Sequence, residues 1–97
     1  MKAAAGKMAG GIRVERPDAK RLEALNVSTW PVWTKDVSTF DWHYDDWETC
    51  YLLEGAVTVT TAEGDVAFGK GDLVTFPKGL SCTWQVTKPI RKHYRFG

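Results

Sequence analysis

Five residues that can bind metal or move protons fall in two parts of the chain. Asp41, His43, Glu48 and Cys50 lie close together, and Cys82 stands apart. A carboxylate, an imidazole and a thiolate are each good ligands for first-row metals, and a carboxylate near an imidazole can do general acid–base work. The same types have plainer uses. Free cysteine usually packs as a small buried hydrophobe. Glu48 can be held by a hydrogen bond from a Trp or Tyr in a pocket that binds no ion, and His43 can sit solvated at a rim. No Ser or Cys triad, phosphate loop or dinucleotide motif accompanies them.

The elements that must position these residues belong to one small domain. The chain has 97 residues, 43% hydrophobic, with five Trp, four Phe and three Tyr. Large aromatic side chains supply much of the burial a domain this size needs. Thirteen basic and twelve acidic residues leave a formal net charge of +1. The only basic grouping is Arg91-Lys92 with Arg95, too short for an electrostatic nucleic-acid surface. Two cysteines do not make a disulfide scaffold, and no apolar run reaches the roughly 18 residues of a membrane span. Residues 1–11, rich in Ala, Gly and Lys, lack a signal peptide's apolar stretch and read as a flexible tail before a domain over 12–97. The expectation is an intracellular, cytoplasmic protein that binds neither nucleic acid nor membrane.

Only one segment reads as helical. Asp18 can cap it, and Ala19, Leu22 and Leu25 recur at a spacing of three before Asn26. From Trp30 onward the texture is short strands. The candidates are Pro31–Thr34, Thr39–His43, Glu48–Leu53, Ala56–Thr61, Asp65–Phe68, Leu73–Phe76, Ser81–Val86 and Ile90–Phe96. Turn residues separate them: Glu54-Gly55, Glu63-Gly64, Gly69-Lys70-Gly71-Asp72, Pro77-Lys78-Gly79 and Lys88-Pro89. About eight short strands at this spacing predict an all-β sandwich or jelly-roll barrel.

Two stretches carry a family resemblance. Asp41-Trp42-His43-Tyr44-Asp45-Asp46-Trp47-Glu48 through Gly55, and Gly71-Asp72 through Pro77-Lys78-Gly79-Leu80-Ser81-Cys82, resemble the two cupin motifs. The first motif has two His one residue apart, then Glu and Gly, and Asp41, His43, Glu48 and Gly55 stand at those positions. The second has Gly, Pro, Gly, His and Asn, matched here by Gly71, Pro77, Gly79, Cys82 and Val86. The turn residues, His43 and Glu48 agree; Asp41, Cys82 and Val86 depart. More narrowly, the runs from Glu48 to Gly55 and from Gly71 to Gly79, with Arg91-Lys92-His93-Tyr94, look like small single-domain cupins akin to ureidoglycine aminohydrolase. The resemblance spans about residues 12–96.

It implies a single cupin jelly-roll β-barrel with one short N-terminal helix and a polar pocket inside. It also implies a divalent metal (Zn, Cu, Mn, Fe or Ni) on His43, Glu48, Cys82 and Asp41, with Cys82 tilting preference toward Zn or Cu. Strand parity puts Asp41 and His43 on one face. A break across residues 44–47 lets them share the interior with Glu48 and Cys50, which sends Trp42 outward. Cys82, Trp84 and Val86 share a face expected to look inward, making Cys50 and Trp84 pocket residues. Whether Arg91 and His93 or Lys92 and Tyr94 face inward is open from sequence.

Three functions follow as expectations. One is binding of a small polar molecule in the barrel, through a metal or without one. Another is a metal-dependent aminohydrolase-like enzyme on a ureide-like substrate, with Glu48 and His43 catalytic. The last is a non-catalytic homodimeric binding or structural module, with Tyr51, Leu53 and Trp42 forming the dimer face.

Overall fold

The computed structural model describes residues 6–97. In chain order the strands are β1 (Gly6–Lys7), β2 (Arg13–Glu15), β3 (Val32–Lys35), β4 (Ser38–His43), β5 (Glu48–Thr61), β6 (Gly64–Gly69), β7 (Leu73–Phe76) and β8 (Ser81–Phe96), and helix α1 spans Ala19–Ala24. All pairings are antiparallel. This is the expected all-β class with its one short N-terminal helix.

Four expected strands are two continuous ones. Glu48–Leu53 and Ala56–Thr61 join as β5, and Ser81–Val86 and Ile90–Phe96 join as β8. The Glu54-Gly55 and Lys88-Pro89 dipeptides bend these strands instead of ending them. The β5–β8 register slips between Leu52 and Glu54, between Glu54 and Ala56 and between Ala56 and Val57, as bulges do where a strand turns a corner. Gly55 makes the corner possible. Its φ is 93°, and a Cβ there would collide with the Pro89 carbonyl oxygen.

Both long strands therefore serve both sides of the barrel. The first half of β5 pairs with β7 and with the end of β8, to which β3 adds. The second half pairs with β6 and with the start of β8, to which β4 adds. Inward-facing Val57, Val59, Val74, Val86, Phe76, Trp84 and Leu52 fill the space between. Phe76 is central: it stacks on Tyr44 at 4.9 Å between ring centroids, and meets Trp84 at 5.4 Å and Phe68 at 5.8 Å. Such pairs contribute about 0.5–1.5 kcal/mol each beyond area burial.

A second apolar cluster lies on the other side of β5 and β7. Val27, Trp30 and Leu73 are buried there, with Leu22, Leu25 and Tyr51 packed against them. Helix α1 supplies Leu22, and the Asp18 carboxylate caps the helix by accepting from Arg21 N at 2.9 Å. Tyr51, expected to seek a partner, is thus half-covered by its own chain.

Residues 1–5 of the expected tail lie outside the described residues. Of residues 6–11, Gly6–Lys7 form β1, which pairs with β2 of the domain and through it reaches β7. Among the described residues no helix is long and apolar enough to cross a membrane.

Candidate functional site

Strand β4 sets which residues meet inside. Its register against β8 pairs Phe40 with Trp84, Asp41 with Thr83, Trp42 with Cys82 and His43 with Ser81. Paired residues of an antiparallel ladder share a face. Trp84 is buried in the core, so Phe40 and Trp42 face inward and Asp41 and His43 face out. The parity expected from the motif is reversed here. Asp41 accepts from the Thr83 hydroxyl at 2.8 Å, and His43 Nδ1 lies 2.7 Å from Ser81 Oγ. Both are exposed and sit apart from Glu48.

Tyr44 completes the alternation. Its backbone N–H donates to the Leu80 carbonyl (2.8 Å), and its carbonyl accepts from Gly79 N (2.7 Å). Held to the Pro77–Gly79 turn in this way, the ring points inward onto Phe76. Its hydroxyl donates to Glu48 Oε1 at 2.7 Å. Burial first, and then the Glu48 charge, hold this phenol protonated far above its ordinary range.

Glu48 opens β5 between Phe76 and Phe96. Its second oxygen, Oε2, accepts from Lys92 Nζ at 2.8 Å. Both side chains are almost fully buried, 3% exposed for Glu48 and 6% for Lys92. Lys92 arrives from β8 opposite Leu52 on one side and Trp33 on the other. Hence Lys92 and Tyr94, not Arg91 and His93, face the interior. The ammonium lies 4.6 Å from the Trp84 ring centroid, 5.0 Å from Trp33 and 5.9 Å from Tyr94. Ring quadrupoles attract a cation at such distances. Arg91 points out and pairs with Glu54 at 2.9 Å, while His93 Nδ1 lies 2.8 Å from the Trp30 carbonyl oxygen.

A cavity of about 290 Å3 opens onto this ion pair. Trp33, Phe40, Trp84 and Tyr94 line it with Glu48 and Lys92, and half-exposed Trp42 and Phe96 stand at its rim. It is an aromatic chamber with one polar patch, the usual composition of a small-molecule site.

Neither thiol lines this cavity, Cys50 contrary to expectation, although both feel the Glu48 charge. Cys50 is fully buried, and burial pushes its thiol up to about 12. Trp84 Nε1–H is buried without a partner of good hydrogen-bond geometry. Its pull on the Cys82 thiol only partly offsets burial, which pushes that group up to about 11. Burial of this kind keeps both thiols protonated and makes them poor nucleophiles. Both cysteines are free.

These positions allow a test of fit for the implied metal. Each Glu48 oxygen already receives a donor, and Asp41 and His43 line a separate open surface depression with Cys82. Among the described residues, no three His, Cys, Asp or Glu side chains come together as a metal group. The arrangement does not fit a metal centre.

Tyr44, Lys92 and the inward face of Trp42 were the residues that motif reasoning missed. The signal was present, since Phe40, Trp42 and Tyr44 alternate with Asp41, His43 and Asp45. That is the apolar-in, polar-out pattern of a half-buried strand.

Comparison with known proteins agrees with this fold. The EutQ-like cupin domain pattern matches residues 22–94. A DUF861 family protein from Thermotoga maritima is 54% identical, with a TM-score of 0.87 over 89% of this chain and 99% of that one. The Clostridium difficile EutQ protein is 23% identical (TM-score 0.63, covering 93% of this chain and 74% of that one). A cupin-2 domain protein from Shewanella frigidimarina is 10% identical (TM-score 0.58, 100% and 83%). These last two share the fold. No curated protein matches the chain. With three-quarters of its length matched and a barrel that superposes on cupins, the chain belongs to the EutQ-like cupin family.

Proposed function

We propose that this cupin binds a small molecule in its barrel by direct contact with protein side chains, with no metal between them. The observation that carries the reading is the Lys92–Glu48 pair at 2.8 Å. It sets an ammonium against the carboxylate that the family resemblance assigns to a metal. The cavity above it is large enough for a ligand and walled by rings that can pack against one.

Tryptophan side chains supply the test. Trp33, Trp42 and Trp84 line the cavity, whereas Trp30 and Trp47 do not. In a ¹⁵N spectrum the five indole N–H signals serve as separate reporters. Monocyclic aromatic fragments are expected to move the first three and leave the other two in place. A fragment set that moves none of the three would overturn the reading.

The likeness to ureidoglycine aminohydrolase supports a second reading, hydrolysis of a ureide's C–N bond, with the buried Glu48 carboxylate facing the substrate. Ammonia release from ureidoglycine by the wild type, lost in Glu48→Gln, would establish it. A homodimer through the face that includes Leu53 is a third reading, in keeping with the dimerisation expected from the resemblance. Light scattering on the purified chain tests that.

A further inference from the structure

We propose that the cavity selects uncharged, flat carbonyl compounds, with Lys92 donating a hydrogen bond to the carbonyl oxygen. This rests on the reading of the cavity as a ligand site and narrows its chemistry.

The charges of Glu48 and Lys92 cancel one another at 2.8 Å. An anionic ligand would leave a net negative charge among the aromatic walls, and a cationic one a net positive charge. Desolvation penalises either. A cation meets a further obstacle, because the Lys92 ammonium already neutralises Glu48 and, lining the same cavity, repels a second positive charge.

Donor capacity supplies the second part. An ammonium carries three N–H bonds. Among the described residues, the only acceptor for Lys92 is Glu48 Oε2. Its other sides face the rings of Trp84, Trp33 and Tyr94, and Lys92 itself lines the cavity. A neutral carbonyl oxygen can take one of these N–H groups without adding charge. Hydrogen bonds from a charged donor are stronger than neutral ones.

Shape supplies the third. A cavity of about 290 Å3 has room for a small molecule built on a single ring. Phe40 and Trp84 lie nearly parallel, at 17° and 6.0 Å between centroids, so the wall offers a flat aromatic surface. A single ring or planar amide matches it.

Four probes of nearly one shape separate the cases: benzamide, benzoate, benzamidine and toluene. Each is titrated at pH 7 against the Trp33, Trp42 and Trp84 indole signals. Benzamide is expected to bind at least roughly tenfold tighter than the other three. Equal or tighter binding of benzoate, benzamidine or toluene would overturn the inference while leaving the cavity a ligand site. No shift from any probe would overturn both. The role of Lys92 is read in Glu48→Gln/Lys92→Met, which removes both charges and so avoids stranding one. In that double variant benzamide and toluene should bind within about threefold of each other. A preserved preference in the folded double variant would show that Lys92 is not the donor.

Discussion

Lys92 Nζ and Glu48 Oε2 lie 2.8 Å apart inside a ring of aromatic faces, and both side chains are almost fully buried. A buried pair of this kind is weak evidence of net stability, yet breaking it from one side is costly. Lys92→Met should destabilise by about 3–5 kcal/mol, or prevent folding, because it leaves Glu48 charged and short of a donor. Glu48→Gln/Lys92→Met should recover most of that loss. Urea denaturation of the three proteins checks this; a double variant no better than Lys92→Met would contradict it.

The exposed pair makes the contrast. Arg91 and Glu54 are 2.9 Å apart, but their side chains are 51% and 60% exposed. Arg91→Ala should cost less than about 1 kcal/mol. A loss similar to that of Lys92→Met would mean the two environments differ less than their burial indicates.

Tyr44 is the second donor to Glu48. Tyr44→Phe keeps the stack on Phe76 and removes the 2.7 Å hydrogen bond. The carboxylate then lacks one partner, at an expected cost of about 1–3 kcal/mol. A midpoint in urea unchanged from wild type would show that the hydroxyl is dispensable.

Protein purified without chelator is expected to carry no stoichiometric metal by mass spectrometry. His43→Ala and Asp41→Ala, both on the exposed face of β4, should shift stability by no more than about 0.5 kcal/mol. One metal per chain in the wild type, lost on substituting His43 or Glu48, would contradict the metal-free reading.

The thiols predict weakness toward alkali. In the folded chain Cys50 is pushed up from 9.0 to about 12 and Cys82 from 9.0 to about 11. Between these values the unfolded chain has released its thiol protons and the folded chain has kept them. Stability is therefore complete below about pH 9 and falls as pH rises. For Cys50 the slope approaches about 1.4 kcal/mol per pH unit. Denaturation midpoints from pH 8 to 10.5 should fall more steeply in wild type than in Cys50→Ala, whatever that variant loses at neutral pH.

What the sequence revealed divides along physical lines. Turn chemistry is local, so the bounds of β7 and the Asp18 cap could be read directly. Whether a Gly or Pro ends a strand or bends it depends on what pairs across it. Gly55 and Pro89 lie against each other across the β5–β8 ladder, which no local reading contains. At β4 the motif positions of Asp41 and His43 argued for one face and the aromatic alternation for the other. The aromatic burial won, because Phe40, Trp42 and Tyr44 have far more apolar surface to remove from water than two short polar chains can offset. Lys92 was hidden for a different reason. An isolated lysine is normally solvated, and its buried place follows only from a carboxylate 44 positions earlier in the chain.

The two long strands cross from one side of the barrel to the other without interruption at Gly55 and Pro89. The two halves of the molecule are therefore joined by continuous backbone through both long strands and by one core between them. The chain should unfold in one cooperative step. A molecule bound beside Lys92 would then raise the melting temperature of the entire domain, including strands that it never touches. A thermal shift, which needs neither an assay of activity nor a known ligand, becomes a direct way to find what the chamber holds.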